Sequence, residues 1–302
     1  MNYAVIMAGG AGTRLWPISR EHLPKTALAL YSNQSMFQIA VERLAPLFSP
    51  QQIIVVAGAS HAAFLAEQVP EIPTENYILE PEGRGTASAI ALVAVHLFAR
   101  DPKASMAVLT ADHFIGKPQV FRQALAAALH VAQSDYLVTL GITPDSPSTE
   151  YGYIEQGEQL LKVDGFKVLK AKRFVEKPDL NTAQAMLEAG NYCWNSGMFI
   201  WKISTILKAY KMLMPELYQQ VMLLGQTIGT NAYSDTLAQI WPHVKKQTID
   251  YGIMEKAERV AVLPVDIQWA DVGNWASLKR LLPHDEHGNA IRGEALLLDC
   301  QN

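Results

Sequence analysis

Short apolar runs alternate with longer amphipathic segments along the first half of the chain. The apolar runs predict buried β-strands at 3–7, 53–56, 77–79, 106–109 and 136–140. Between them, apolar residues at helical spacing predict helices at 35–47, 60–68, 86–99 and 118–133, with Ser35, Ser60 and Thr86 as N-caps. Strands that alternate with helices form a parallel sheet covered on both faces, which binds ligands beyond the carboxyl ends of its strands.

The pattern changes after Gly141. Segments 149–155 and 168–176 have the shorter alternation of strands, residues 204–282 are mainly helical, and 260–265 predict another buried strand. With 302 residues, of which 49% are hydrophobic, the chain can bury the core of one large domain.

Charge and cysteine content narrow the class of protein. The formal net charge of −4 provides no basic field for a nucleic acid, so positive charge for an anionic ligand must be local. Cys193 and Cys300 lie far apart and form no CxxC pair, which favours a reducing compartment. The start of the chain does not resemble a signal peptide, and no apolar run approaches the roughly 20 residues of a membrane helix. We therefore expect a cytoplasmic protein without nucleic-acid or membrane partners.

A glycine-rich loop, residues 8–14 with the sequence AGGAGTR, follows the first predicted strand. Glycines after a strand let backbone N–H groups approach a phosphate chain closely. Arg14 and Lys25 add positive charge beside the loop. The loop lacks the GK[ST] ending of a Walker A motif and the third glycine of the dinucleotide fingerprint, so it is neither of these common phosphate loops.

Taken together, the loop, Pro17, Ser19, Arg20 and the Pro24-Lys25 pair resemble the signature of the sugar-phosphate nucleotidyltransferases. TRLWPISR followed by LPK is most similar to the mannose-1-phosphate guanylyltransferase branch of that family. Further segments resemble the family in the same order: EPEGRGTA at 80–87, FVEKP at 174–178, WNSGMF at 194–199, DYGIMEK at 250–256 and WADVGNW at 269–275. The resemblance implies a nucleotide-diphospho-sugar transferase fold, which is a Rossmann-like, mixed and mostly parallel sheet with helices on both faces.

The reaction implied by the resemblance joins GTP and α-D-mannose 1-phosphate to give GDP-mannose and pyrophosphate. An oxygen of the sugar phosphate attacks the α-phosphorus of GTP in line, with Mg²⁺ as the cofactor. This nucleophile is already ionised, so catalysis needs positioning and charge neutralisation rather than a general base. The implied catalytic residues are Arg14, Lys25, Asp112 and Asp271.

The resemblance divides the other roles between two sides of a cleft. The nucleotide side is assigned to Gly9, Gly10, Gly12, Thr13, Arg14, Lys25, Glu80, Arg84 and Thr86, with Arg14 on the leaving pyrophosphate and Lys25 at the α-phosphate. Glu80 suits guanine, because a carboxylate can accept from both N1–H and the exocyclic amine. The sugar-phosphate side is assigned to Tyr151, Gly152, Glu176, Lys177 and Asn195, with Lys177 on the phosphate.

Asp112 and Asp271 would hold the magnesium ion, which needs few protein carboxylates when phosphate oxygens complete its shell. His113 is a poor ligand for that metal, and we expect it to pack or to hydrogen-bond nearby. The role of Asp250 remains open.

Each of these segments also has a purely structural interpretation when it is taken alone. Asp112 and Asp271 can cap turns, residues 80–87 can be an ordinary strand–helix connection, and the Glu176-Lys177 pair can be an exposed strand end. Two alternative functions remain: another hexose-1-phosphate nucleotidyltransferase, or a non-catalytic subunit that senses nucleotide sugars. The presence of Arg14, Lys25, Asp112 and Asp271 together argues against the second.

For domain organisation we expect a nucleotidyltransferase domain at 1–285, with a nucleotide-binding half at about 1–142 and a sugar-phosphate half at about 143–285. Residues 286–302 are expected to begin a C-terminal β extension that is incomplete, with no room for the isomerase domain of longer relatives. The oligomeric state stays open, and a homo-oligomer is one possibility.

Overall fold

A computed structural model describes residues 1–10, 13–20, 22–291 and 293–301. Its strands are β1 Asn2–Met7, β2 Ile53–Gly58, β3 Tyr77–Glu80, β4 Ser105–Thr110, β5 His113–Ile115, β6 Leu137–Ile142, β7 Tyr153–Val163, β8 Phe166–Val175, β9 Tyr192–Lys202, β10 Val260–Val265 and β11 Trp269–Asp271. Its α-helices are α1 Met36–Glu42, α2 Ala59–Gln68, α3 Thr86–Arg100, α4 Pro118–Ala132, α5 Leu180–Ala189, α6 Ile203–Leu213, α7 Pro215–Thr227, α8 Tyr233–Ile240 and α9 Trp275–Leu281.

A mixed nine-stranded sheet organises these elements, in the order β3-β2-β1-β4-β9-β6-β10-β8-β7. Strands β3, β2, β1 and β4 are parallel neighbours, and β10 runs parallel to β6. Strand β9 enters antiparallel between β4 and β6, and β7 and β8 form an antiparallel edge. The predicted α/β class is therefore confirmed, and so are the parallel strands expected in the first half.

Both faces of the sheet are buried under helices. In β1, Ala4 and Ile6 enter one apolar cluster while Tyr3 and Val5 enter the other, because successive side chains of a strand point to opposite faces. The first cluster takes side chains from α1, α2, α4 and α5, and the second takes them from α3, α6 and α7. Full burial of each large aliphatic side chain contributes about 1.5–3 kcal/mol to folding.

The helix starts were predicted with mixed success. Ser35 is the N-cap of α1, and its hydroxyl accepts a hydrogen bond from the Gln38 amide at 3.1 Å. The predictions for Ser60 and Thr86 were wrong, because α2 is preceded by Gly58 and α3 by Gly85. The Thr86 hydroxyl instead accepts from the Ile249 amide at 2.9 Å, a tertiary contact that no local pattern indicates.

Other ends of helices and strands also differ from the predicted ones. Helix α1 ends at Glu42 rather than at 47, and β7 begins at Tyr153 rather than at 149. The mainly helical segment after β9 and the buried strand β10 are confirmed. Beyond α9, His284 and Ala290 form an isolated antiparallel bridge. Among the described residues, no helix is both long and apolar enough to cross a membrane.

Candidate active site

The glycine loop and Asp112 follow two neighbouring parallel strands. Met7 at the end of β1 pairs with Thr110 at the end of β4, so the segments that leave these strands start side by side. A second connection brings Asp271 to the same place, because β11 pairs with β5 and sets Asp271 opposite His113. The sheet thus brings together two acidic residues from distant parts of the chain.

The side chain of Lys25 lies between these two carboxylates. Its Nζ is 2.5 Å from Asp112 Oδ2 and 4.0 Å from Asp271 Oδ1, and it donates to the Val272 carbonyl at 2.9 Å. Lys25 is 6% exposed, whereas both carboxylates remain partly accessible. Burial raises the pKa of Asp112, but the charges of Lys25 and His113 and the Lys25 hydrogen bond outweigh it, so the pKa lies below its usual value.

The guanidinium of Arg14 lies near Asp271, on the side of the glycine loop. A Cβ atom added to Gly273 would lie 2.8 Å from Asp271 Oδ2 and 3.3 Å from Arg14 Nη1. The ends of the Arg14 and Asp271 side chains therefore both lie beside Gly273.

The backbone of the glycine loop is open on its outer side. At Gly9 and Gly10, a Cβ atom would meet no atom of the described residues within 4 Å, and Gly10 has a φ of +105°. Thr13 begins a short 3₁₀ turn, Thr13–Leu15. Gly12, which was also predicted to bind the nucleotide, lies outside the described residues. The described part of the loop can accept a ligand against its backbone.

Glu80 ends β3 and is buried, with 8% of its surface exposed. Its Oε1 has no hydrogen-bond partner among the described residues. Burial raises the pKa of Glu80 to about 7, against a smaller lowering effect of the Arg84 backbone amide. A buried acceptor without a donor is unusual in a folded protein, and it suits a ligand that supplies N–H groups.

The side chains of Arg84 and Thr86 are engaged within the protein. Arg84 pairs with Glu82 and donates to the Pro242 carbonyl at 2.8 Å, while the Thr86 hydroxyl holds the Ile249 amide. Arg84 Nε, like Glu80 Oε1, is buried without a hydrogen-bond partner among the described residues, so both side chains keep a polar atom for a ligand.

All five residues predicted for the sugar-phosphate side line one open pocket of about 200 Å³. They are Tyr151, Gly152, Glu176, Lys177 and Asn195, and they are joined there by Asp271. Asp250 lines the same pocket, although its role was open in the sequence.

Gly152 and Glu176 are packed tightly in this pocket. A Cβ atom on Gly152 would overlap Glu176 Oε2, so glycine is needed there for the carboxylate to keep its place. Lys177 Nζ is 3.8 Å from Glu176 Oε1 and is largely exposed, which leaves it available to an anion. Burial first, and then the charge of Asp250, raise the pKa of Glu176, while Lys177 lowers it.

An aromatic wall joins the pocket to the acidic pair. Tyr151 meets Trp194 and Trp269 edge-on, with ring centroids 5.0 and 5.1 Å apart. Trp269 Nε1 donates to His113 Nδ1 at 3.0 Å, which confirms that His113 is buried and hydrogen-bonded beside Asp112. Trp269 therefore connects the start of β5 with the pocket lined by the five residues predicted for the sugar-phosphate side, which we call the sugar-side pocket.

The profile of one protein family, described as "Nucleotidyl transferase", matches residues 3–288. The chain belongs to the nucleotidyl transferase family. Among its relatives, "Mannose-1-phosphate guanylyltransferase 2" of Escherichia coli O157:H7 is 38% identical over 99% of this chain and 64% of the relative. "Alginate biosynthesis protein AlgA" of Pseudomonas syringae pv. tomato is 36% identical over 99% of this chain and 62% of the relative. The chain thus spans less than two thirds of the length of these curated relatives.

Solved structures agree with this family assignment. A structure from Thermus thermophilus, described as a mannose-1-phosphate geranyltransferase, superposes with a TM-score of 0.83 at 36% identity, covering 95% of this chain and 80% of the other. A putative Bacillus anthracis glucose-1-phosphate thymidylyltransferase has a TM-score of 0.59 at 18% identity, covering 93% of this chain and 94% of the other, which supports the fold alone. The predicted nucleotide-diphospho-sugar transferase fold is confirmed.

One buried cation near the site of this nucleotidyl transferase, Arg43, was not predicted from the sequence. It follows α1, is 8% exposed, and donates to the carbonyls of His113 at 2.7 Å and Thr110 at 3.1 Å. These carbonyls lie on either side of Asp112 in the chain, so the two hydrogen bonds from Arg43 fix the position of that segment. No local motif marks this arginine, because its partners lie far along the chain.

Proposed function

We propose that the chain transfers a guanylyl group from GTP to α-D-mannose 1-phosphate, giving GDP-mannose and pyrophosphate. An oxygen of the sugar phosphate forms a bond to the α-phosphorus of GTP. The bond from that phosphorus to the bridging oxygen of the β-phosphate breaks, and the electron pair leaves with pyrophosphate. The names of the guanylyltransferase relatives support this choice of substrates.

One observation carries the proposal: Asp271 is shared by both sides of the cleft. It lines the pocket of the sugar-side residues, and it lies within 4.0 Å of Lys25 Nζ and beside Arg14. An in-line transfer needs the nucleotide and the sugar phosphate to meet at one point, with positive charge around the phosphorus that is attacked. We assign that point to the space between Asp271, Lys25 and the glycine loop.

We assign the residues of the chain to four tasks. Arg14 and the backbone of the glycine loop bind the leaving pyrophosphate, and Lys25 stabilises charge at the α-phosphate. Glu80 accepts N–H groups of guanine, supported by its buried Oε1 without a donor among the described residues. Lys177 binds the sugar phosphate, while Glu176, Asn195 and the Tyr151-Gly152 segment orient the hexose.

The donor set fits a magnesium ion. Two carboxylates lie within 4.0 Å of one ammonium nitrogen, so the space between them already favours a cation. The described residues contain no group of three or more His, Cys, Asp or Glu side chains around one point, but magnesium bound with phosphates needs only one or two carboxylates. Asp112 and Asp271 would hold the ion, which would neutralise charge on the phosphate oxygens.

We also propose a cytoplasmic location, because the reaction consumes GTP and the chain carries two free thiols, Cys193 and Cys300.

The test is pyrophosphate release from mannose 1-phosphate and magnesium, with GTP, ATP, dTTP and UTP compared in separate reactions. Release with GTP alone supports both the reaction and the guanine assignment. Release with another nucleotide would keep the chemistry and remove the guanine assignment. If protein shown to be folded by circular dichroism released no pyrophosphate with any of the four nucleotides, the proposal would be contradicted. Asp112→Asn is the matched control for contaminating activity, because it should lose the signal without a change of fold.

A further inference from the structure

A hydrogen bond in the sugar-side pocket joins Asn195 to Asp250, a residue without an assigned role. Asn195 Nδ2 donates to Asp250 Oδ1 at 2.7 Å. The rest of Asn195 is also held, because its backbone amide donates to the Gly152 carbonyl at 2.7 Å and its Oδ1 accepts from the Gly197 amide at 3.2 Å. The Asn195 amide group therefore has one orientation, and Asp250 is what its N–H₂ end faces.

Asp250 begins a π-helical turn, Asp250–Met254. The Glu255 amide donates to the Asp250 carbonyl at 3.0 Å, which is the i to i+5 bond of such a turn. Single π-turns are rare and occur frequently at functional sites. Met214 also packs closely against this turn, since a Cβ atom on Gly252 would lie 2.6 Å from Met214 Sδ. Asp250 is consequently held at the pocket rather than left to move with a loop.

The position of Asp250 is costly for a carboxylate that has no ligand. Burial raises its pKa, opposed by the Asn195 hydrogen bond and by Lys177, and Glu176 nearby is a second acid of the same pocket. Its Oδ1 accepts from Asn195 and the carboxylate also accepts from its own backbone amide, whereas no other side chain of the described residues is seen to donate to Oδ2. A fixed acceptor of this kind matches the hydroxyl groups of a sugar, which are donors.

We propose that Asp250 determines specificity for the hexose: its Oδ2 accepts a hydrogen bond from one sugar hydroxyl, while its Oδ1 fixes the Asn195 amide for a neighbouring hydroxyl. This inference rests on the proposed function only in taking the pocket to hold an α-hexose 1-phosphate. It predicts that one hydroxyl of the sugar is coupled strongly to Asp250, that the neighbouring hydroxyl is coupled more weakly through Asn195, and that the remaining hydroxyls are not coupled to it.

The test is a double-mutant cycle in which one change is made in the protein and the other in the sugar. The binding affinity of each combination is measured by calorimetry. Wild type and Asp250→Ala are titrated with the α-hexose 1-phosphate that the wild type prefers, and with its 2-, 3-, 4- and 6-deoxy analogues. Loss of a hydrogen bond to a charged group weakens binding by about 10-fold to 100-fold. One deoxy analogue should show that loss in the wild type and almost none in Asp250→Ala, because the contact can be lost only once.

Two further variants separate contact from packing. Asp250→Asn keeps an oxygen for Asn195 but turns the other end into a donor, so it should show the same selective loss with the Asn195 hydrogen bond retained. Glu255→Gln removes a nearby exposed negative charge and should change affinity for all analogues equally and slightly. Equal losses for every analogue in Asp250→Ala would overturn the proposal and leave Asp250 as a brace. If the preferred sugar is not mannose, the proposed substrate is wrong, but the cycle on the preferred hexose still decides the role of Asp250.

Discussion

The ammonium group of Lys25 lies 2.5 Å from Asp112 Oδ2 and is almost entirely buried there. It is also 4.0 Å from Asp271 Oδ1, so one lysine neutralises both carboxylates to which we assign the metal. A divalent cation bound between them would compete with this lysine. The lysine that we place at the α-phosphate is therefore also the charge that keeps the acidic pair together before substrates bind.

Replacing Lys25 by alanine should lower kcat by about 100-fold or more, because a preorganised positive group at the reacting phosphate is lost. The variant should still fold but with lower stability, since Lys25 belongs to neither large apolar cluster but its buried ion pair with Asp112 is lost. The measurement is steady-state pyrophosphate release together with thermal unfolding. Magnesium should raise the unfolding midpoint more in Lys25→Ala than in the wild type, because its competitor is gone. Near-normal turnover in the variant would remove Lys25 from the mechanism.

Replacing Glu80 by glutamine should reduce the preference for GTP over ATP by about 10-fold to 100-fold, because glutamine keeps one acceptor oxygen and its N–H₂ group cannot accept from guanine. The measurement is the ratio of kcat/KM for the two nucleotides. In the wild type, affinity for GTP should rise with pH as Glu80 ionises around pH 7, and that rise should be absent from the variant. An unchanged nucleotide ratio would show that backbone groups, not Glu80, read the base.

The same variant should be the more stable protein at alkaline pH. Burial raises the pKa of Glu80 from 4.5 to about 7, so the folded state binds this proton more tightly than the unfolded state does. Glu80 makes its full contribution to the stability of the wild type below pH 4.5, and that contribution is lost as the pH rises through about 7. At pH 8, Glu80→Gln should therefore exceed the wild type by about 2–3 kcal/mol in urea unfolding, with the difference vanishing near pH 4.5.

Replacing Arg43 by lysine should weaken the hold on Asp112, because an ammonium on a flexible stem cannot span the His113 and Thr110 carbonyls as the guanidinium does. We expect a loss of about 1–3 kcal/mol in the free energy of unfolding, since a buried carbonyl is left without a donor. The magnesium concentration for half-maximal rate should rise. Arg259→Lys is the matched control, because Arg259 donates to the Ser134 carbonyl at 2.9 Å far from the site. Equal magnesium requirements in both variants would refute the positioning role.

Replacing Gly152 by alanine should displace Glu176, whose Oε2 occupies the position of the new Cβ atom. The KM for the sugar phosphate should rise by about tenfold or more, the size expected when a charge-assisted hydrogen bond is lost, with the KM for GTP almost unchanged. Gly225→Ala provides the control, because its Cβ atom would meet Val95 at an ordinary 3.6 Å inside α7. A rise of both KM values together would indicate general damage to the cleft instead.

Much of the fold follows from local patterns. The apolar runs located β1 to β4, β6 and β10, and the helical spacing located α2, α3 and α4 to within one residue at either end. These features depend on side chains that are close in sequence, so a single chain is enough to find them. Thr86 is the instructive failure: it is a good N-cap residue by type, yet its hydroxyl is used by Ile249, a partner that only the folded chain brings near.

The sequence by itself determined most strands and helices of the first half and marked the glycine loop, because these depend on neighbours along the chain. The sugar-side and acidic residues were assigned through the resemblance of short segments to the family, and their roles stay predictions. Only the tertiary structure decided that Lys25 stands between Asp112 and Asp271, that Arg43 holds the segment around Asp112, and that Asp250 faces Asn195. Those relationships depend on strand order, on the β5–β11 pairing and on how a π-turn packs, and such long-range geometry leaves no periodic trace in the sequence.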